Sequence, residues 1–230
     1  MRFAAGLCFA LCLFSTLHAH AVTSEEFRYD FANGSRGWSV DFADYPAGQE
    51  EFYELASGFR RLPGYVAKDR FALRIQGNNH SDDLCMFLRR QISGLKPNTR
   101  YVVTFGLTLA SNAATGSVGI GGSPGDSVYV KVGVTLVRPA ADPVTRLLNI
   151  DKGEQSQGGA DAIVLGNVGV EQPDDGSHLF RVKRLQNEDA PFIFTTDEQG
   201  NGWLFVATDS GYEGTTRLYV LDISARFIQQ

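Results

Sequence analysis

Two short stretches of this chain carry most of the side chains that could do chemistry. The first, Asn78-Asn79-His80-Ser81-Asp82-Asp83, sets adjacent amides, an imidazole and two carboxylates between two apolar runs. Such a set can hydrogen-bond the hydroxyls of a polyol or ligate a hard cation through oxygen. Equally, Asn and Asp close Asx-turns at strand corners. The second, Thr208 to Thr216, reads TDSGYEGTT and is richer than a hairpin requires. Asp209 and Glu213 offer a carboxylate pair, and the Tyr212 ring could stack on a sugar face. A glycosidase pair needs one raised pKa and a defined separation, which spacing alone does not supply. The competing reading makes Gly211 and Gly214 left-handed turn residues, with hydroxyls and carboxylates satisfying backbone N–H groups. The candidate ligand-binding residues are therefore Asn78, Asn79, His80, Asp82, Asp209, Tyr212 and Glu213, with no catalytic residue assigned. One site built from both loops is the expectation. A third polar stretch, Asn149 to Gly159, reads as a mobile surface loop or as a ligand lid.

Other motifs exclude more than they suggest. Gly121-Gly122-Ser123-Pro124-Gly125 matches the G-x-S-x-G nucleophile pattern. That elbow needs a helix after the serine and a backbone N–H on the following residue. Pro124 has none, and Val128 onward is a strand, so the segment is a turn. No H-E-x-x-H, P-loop, EF-hand or cysteine zinc pattern occurs. A structural Ca²⁺ is the one cofactor expected, at a sheet corner, with Asp30 and Asn33 near the first turn and Asp222 from the last strand as ligands.

These groups must be held by strands, because period-two alternation recurs along the chain and helical periodicity hardly appears. Tyr101, Val103, Phe105, Leu107 and Leu109 face one way, and Val128, Val130, Val132, Val134 and Leu136 repeat the pattern. Phe27-Tyr29-Phe31, Trp38-Val40-Phe42 and Phe71-Leu73-Ile75 alternate more briefly. Trp203 to Val206 is apolar on both faces, as in a central strand. The last strand is expected to align Tyr219, Leu221, Ile223, Ala225 and Phe227. Segments 44–68, 138–159 and 170–177 read as long loops, with room for a short helix at 50–56. Tyr45, Tyr53, Phe59 and Tyr65, beside Arg60 and Arg61, suit a binding surface or a loop packed on a sheet. The fold class is all-β: an antiparallel β-sandwich (jelly roll) with long decorated loops.

Met1-Arg2, the uncharged run to Leu17 and Ala19-His20-Ala21 describe a secretory signal peptide at 1–21, followed by a single domain at 22–230. The protein is expected to be exported, periplasmic or extracellular, with no transmembrane segment after cleavage. The formal charge is −5 for the full chain. Without Arg2 it is −6, from 20 basic and 26 acidic side chains. An acidic chain with no basic tract excludes nucleic acid as a partner. Cys85 is the one cysteine left, so no internal disulfide can form, and it reads as a small core residue. The mature chain keeps His80 and His178, too few for a three-histidine zinc site. Nothing in the sequence sets an oligomeric state. Asn33-Gly34-Ser35 and Asn79-His80-Ser81 are glycosylation sequons where the host glycosylates its exports.

The stretch Leu84 to Leu109, with its GLKPNT turn and a strand opening on Tyr101, resembles the sandwich-shaped carbohydrate-binding modules of secreted enzymes. Arg217 to Phe227 is similar to the final strand of those galactose-binding-like jelly rolls, which often carry an Asp where Asp222 stands. Phrases around Asn78–Leu84, Gly116–Gly125 and Thr208–Thr216 also resemble those of uncharacterised exported bacterial proteins. The resemblance implies noncatalytic binding of a carbohydrate or another small polar, polyhydroxylated ligand. Two alternatives stay open: a polysaccharide lyase or glycoside hydrolase on the same scaffold, and a structural or envelope-assembly protein. The enzyme reading would use His80 or Tyr212 for proton transfer, with Asp82, Asp209 or Glu213 as partner.

Overall fold

The structure, a computed structural model, describes residues 23–187 and 190–230. The signal segment expected at 1–21 lies outside the described residues. Twelve strands carry the fold: β1 (Ser24–Asp30), β2 (Ser39–Ala43), β3 (Ala56–Arg61), β4 (Phe71–Asn78), β5 (Leu84–Ile92), β6 (Arg100–Ser111), β7 (Val128–Thr135), β8 (Ile163–Asn167), β9 (Arg181–Gln186), β10 (Phe192–Thr195), β11 (Gly202–Ser210) and β12 (Thr215–Gln229). The one helical piece among the described residues is a 3-10 turn at Phe31–Asn33. No helix among them is long and apolar enough to cross a membrane.

All pairings between these strands are antiparallel, and they make two sheets. In the first, β6 and β12 form the centre. β9 and β10 flank β6, while β4 and β1 lie along β12, with β3 outside β4. The second runs β2-β5-β11-β7-β8. The chain crosses between sheets at most connections, as in a jelly roll.

The alternating residues of β6, Tyr101 to Leu109, and the valines of β7 meet between the sheets in one buried core. The strict period of two puts every second side chain there. β11 is apolar on both faces for a different reason. Leu204 and Val206 enter that core, whereas Phe205 and Ala207 join Cys85, Phe87 and Ile150 in a second cluster on the outside of the second sheet.

The last strand departs from its expected alignment. The ladder to β6 passes from Val220 opposite Leu109 to Asp222 opposite Thr108, so Leu221 is an extra, bulged residue. A bulge reverses the pleat's parity. Leu218 and Val220 therefore share the inner face with Ile223, Ala225 and Phe227. Tyr219 and Leu221 point outward, into a small cluster with Leu62, Ala72 and Ala110.

The 44–68 segment also differs from a plain loop, since it contains β3. No helix forms at 50–56. A tight turn closes there instead, with the Tyr53 amide donating to Gln49 O at 2.9 Å. Tyr45 and Tyr53 are core residues, their rings 5.5 Å apart, and only Tyr65 of the four early aromatics is exposed. The G-x-S-x-G segment is a turn, with the Ser127 amide donating to Ser123 O at 3.0 Å just before β7.

Candidate functional site

The β4–β5 corner and the β11–β12 connection lie at the same end of the sandwich, and Asn79 ties them. Its buried side-chain amide donates to Ser210 O and Tyr212 O, both at 2.9 Å, and its backbone N–H donates to Gly214 O at 3.0 Å. Its Oδ1 accepts from the Ser81 amide at 3.2 Å. Every polar atom of this side chain is spent on holding loops, which also removes Asn79 as an accessible glycosylation acceptor. Asn78 donates to Glu54 Oε1 at 3.0 Å. His80 stacks on Phe52 at 4.1 Å, with Nε2 3.2 Å from Phe52 O.

The Asn79 side chain and backbone thus tie the two loops together, while the other candidate side chains diverge. Asp82 is exposed at the corner. Asp209 is not on the connecting loop; it stands inside β11 and is completely buried. Tyr212 packs its ring against the core and lines a separate depression of ≈ 290 Å³ with His178 and Arg217. Glu213 is fixed by a backbone bridge to Ile120, its N–H donating at 2.9 Å. Asp30 and Asp222 are directly opposed on the β1–β12 ladder. Asp30 Oδ1 already accepts from the Ala32 amide at 2.7 Å and from Arg70 at 3.2 Å, and Asp222 accepts from the Thr108 hydroxyl at 2.9 Å. Asn33 is exposed at the end of the 3-10 turn. Among the described residues, no three His, Cys, Asp or Glu side chains are grouped so as to hold a metal ion. A Ca²⁺ at Asp30 and Asp222 would have to displace Arg70 and recruit further oxygens.

The most unusual chemistry lies on the outer face of the second sheet, under the 138–159 segment. Lys131 projects outward from β7 and Asp209 from neighbouring β11. Their side chains have no exposed surface, and Lys131 Nζ sits 3.0 Å from Asp209 Oδ2. Lys131 also donates to Lys152 O at 2.9 Å and Gln157 O at 2.7 Å. Asp209 Oδ2 accepts from the Gln155 amide at 2.9 Å. Lys152 descends from the covering loop, with its Nζ 3.1 Å from Asp209, 3.4 Å from Asp44 and 3.4 Å from Asp83. Two ammonium groups therefore serve three carboxylates.

A buried charge is tolerated only when paired and hydrogen-bonded, so this cluster locks the loop onto the sheet. Asp44 extends the lock, because its Oδ1 accepts from the Leu148 amide at 2.9 Å. Asp151 folds the loop on itself by accepting from the Gly153 amide at 3.0 Å and the Ala160 amide at 2.9 Å. Gly159 is required at this spot, since a Cβ there would stand 2.2 Å from Asp151 Oδ1. The stretch read as a mobile loop or lid is thus fastened along its length.

The electrostatics follow from this crowding. Burial raises the Asp44 carboxyl, opposed by the Leu148 amide and Lys152. Asp83 is pushed up to about 6 by burial, with Asp44 and Asp209 adding to the rise against Lys152. Burial also drives the Cys85 thiol well above its usual range. The Asp151 carboxyl is held low by its two amide donors.

Above the lock runs a groove. One half, ≈ 480 Å³, is lined by Asp44, Asp83, Leu148, Asp151, Lys152 and Glu154 among others. The other, ≈ 450 Å³, is lined by Ser81, Asp82, Asp83, Glu154, Gln155 and Gln157 among others. The halves share Asp83, Glu154 and Gln157, and no aromatic side chain lines either. Lys131 and Asp44 were not singled out from the sequence, and Lys152 and Asp83 were read only as members of polar stretches. A usable signal was there: a lysine amid the β7 valines, and an acid closing a strand apolar on both faces, each demand a buried partner.

No protein-family model matches this sequence, and no curated protein matches it. Among solved structures, the chain is similar to a carbohydrate-binding module in complex with β-1,4-galactotriose, at 9% identity and a TM-score of 0.38, over 82% of this chain and 86% of that one. It is also similar to carbohydrate-binding modules described as a β-sandwich superfamily, at 9% identity and a TM-score of 0.40, over 87% and 73%. A third likeness is to the K1 cleaved adhesin domain of Lys-gingipain from Porphyromonas gingivalis, at 11% identity and a TM-score of 0.37, over 89% and 97%. Two of these are of the kind the sequence pattern resembles. With TM-scores below 0.5 they carry no argument about ligand or site residues, and the fold rests on the ladders described above.

Proposed function

We propose that this is an exported, noncatalytic binding module that holds a carbohydrate or another polyhydroxylated ligand in the groove between the β4–β5 corner and the 147–159 segment. The observation that carries this reading is the groove's lining. Asp82, Asp83, Glu154, Gln155 and Gln157 supply hydrogen-bonding groups along one continuous surface, on loops fixed from below by the Lys131–Asp209–Lys152 lock. Preorganised polar groups of this sort are what a polyol needs, because loop ordering is not charged against binding. Recognition here works by hydrogen bonds, since no ring is offered for stacking. Tyr212, with its ring against the core, does not share this groove.

A glycan array run beside a reducing-sugar assay tests the reading. The expected result is a retained glycan with no release of reducing ends, and retention that weakens in Glu154→Gln and Asp82→Asn proteins. Release of reducing ends, abolished in Asp83→Asn, would replace it with the hydrolase or lyase reading. Retention indifferent to both groove substitutions would move the site elsewhere.

A further inference from the structure

We infer that a second site, on the outer face of the first sheet, takes an acidic saccharide chain whose carboxylate or sulfate groups are held by Arg60, Arg74 and Arg217. Strand register brings the three together. Leu73, Ile75 and Leu218 enter the core and Ala72 the outer cluster, so Arg74, Gln76 and Arg217 point outward. Arg217 lies opposite Gln76 on the β12–β4 ladder, while Arg74 faces Gly58 and Arg60 faces Ala72 on the β4–β3 ladder. Gly58 offers no side chain, and the Arg60 guanidinium folds over it, with Nη1 3.3 Å from where a Cβ would stand. Three arginines thus run across β12, β4 and β3 on one face.

None of the three has an acidic partner. Among the described residues, no carboxylate lies within ion-pair distance of them. Arg217 Nε donates to Gln76 Oε1 at 2.7 Å and Arg60 Nη1 to Phe59 O at 3.0 Å, which orients both side chains. Arg74 Nε is covered, while its terminal nitrogens reach the surface without a partner. Neighbouring like charges repel across strands, and here they stay unanswered on a chain whose formal charge is −5. Guanidinium forks match oxyanions in both charge and geometry, so a ligand with spaced anionic groups relieves this repulsion.

A second, independent feature says what carries the anions. At Arg217 the face drops into the depression of ≈ 290 Å³, which Tyr212, His178, Thr215 and Val118 help to line and no acidic side chain enters. The Tyr212 ring is fixed there, because a Cβ on Gly119 or Gly214 would collide with it. Val118 at the rim is 95% exposed. A bare polyanion needs charge alone. A rigid ring and an apolar rim beside hydroxyl and imidazole groups suit the carbon face and hydroxyls of a sugar. The groove over the second sheet, with Asp82, Asp83 and Glu154, would repel the same ligand.

Calorimetry on the mature chain with a galacturonate hexamer, its neutral methyl ester, a sulfated hexasaccharide and a poly-dT oligonucleotide separates the outcomes. The expected result is binding of one acidic sugar at least about tenfold tighter than the methyl ester in ~0.05 M salt, and much weaker in ~0.5 M. Which acidic sugar binds tells carboxylate from sulfate. Arg74→Gln and Arg60→Ala should each weaken that binding by about tenfold, the loss of a charge-assisted hydrogen bond. Glu154→Gln, on the opposite face, should leave it unchanged. Arg60 is exposed, so its variant keeps the fold even if Arg74→Gln does not. Equal binding of the hexamer and its ester, or an acid preference that survives both arginine substitutions, would overturn the inference. So would poly-dT binding as tightly as the acidic sugars, since charge alone would then explain the attraction. Binding of neither acidic sugar would overturn it as well, and would leave the reading of the groove standing.

Discussion

Irregular chain covers both outer faces of the sandwich, and only one of the two covers adds a buried ion lock to its apolar contacts. Over the first sheet, Leu62, Ala72, Ala110 and Leu221, with Tyr219 of β12 beside them, form an apolar cluster under Val66, Ala67 and Phe180. Phe180 and Tyr219 meet edge to face at 5.1 Å. Over the second sheet, an apolar cluster around Cys85, Phe87 and Phe205 is joined by Ile150 of the cover and adjoins the Lys131–Asp209–Lys152 lock. Apolar contact is non-directional and tolerates sliding. An ion lock whose Lys131 also donates to two backbone carbonyls of the cover tolerates little, so it fixes which loop atom sits where. The face with the directional lock is also the face with the polar groove, which is where fixed positions serve recognition.

The largest way to break this contrast is to remove one member of the buried pair. Asp209→Ala leaves Lys131 and Lys152 facing each other with their central acceptor gone, at an expected cost of ~3–5 kcal/mol in urea unfolding. Replacing the pair together, Lys131→Met with Asp209→Leu, is expected to recover most of that loss, because no buried charge at the sheet is then left alone. A single substitution costing under ~1 kcal/mol would mean that the lock does not form.

The apolar cover responds differently. Leu221→Ala removes a buried side chain from the bulge and should cost ~2–4 kcal/mol. That cost should be the same at pH 5 and pH 8, since nothing ionisable lies in the cluster's core. A strong pH dependence would show that the two faces are not chemically distinct.

Much of this architecture was legible in the residues. β6 and β7 alternate so strictly that strand, face and core membership followed from period two alone. The bulge at Leu221 was not legible, because an apolar residue on either side of the slip gives a plausible pattern; only the partner strand fixes parity. β3, with its Ser-Gly-Phe-Arg-Arg run, lacks alternation and is defined by pairing with β4. At the candidate site, Asn79, Asp82 and Asp83 were visible as a polar corner. Their partners were not, since Lys131 and Lys152 come from distant segments and look solvent-bound until the 138–159 loop is laid over the sheet.

A gentler probe loosens the cover without touching the buried pair. Asp151→Ala removes two amide-accepting hydrogen bonds from the loop, at an expected cost of about 1 kcal/mol. The same variant should become sensitive to limited proteolysis within 149–159 while the strands stay protected. Cleavage first at another loop would show that Asp151 does not organise this one.

The smallest expected effect carries the sharpest sign. Asp83 has a folded-state pKa of about 6 against an ordinary 3.8. The folded protein therefore holds this proton more tightly than the unfolded chain. Below about pH 3.8 both states are protonated and the carboxyl is no burden. As pH rises through about 6 the folded state must ionise Asp83 beside Asp44 and Asp209, and the proton's stabilising contribution is lost. Asparagine cannot ionise, and Lys152 would keep Asp209 at 3.1 Å and Asp44 at 3.4 Å. Asp83→Asn should thus raise the melting temperature at pH 8 and leave it unchanged near pH 3.5. Asp83 is half-exposed, so the gain is less than about 1 kcal/mol after solvent screening, a shift of ~1–3 °C for a chain of this size. A lowered melting temperature at pH 8 would mean that Lys152 needs all three carboxylates. The lock would then hold no surplus negative charge.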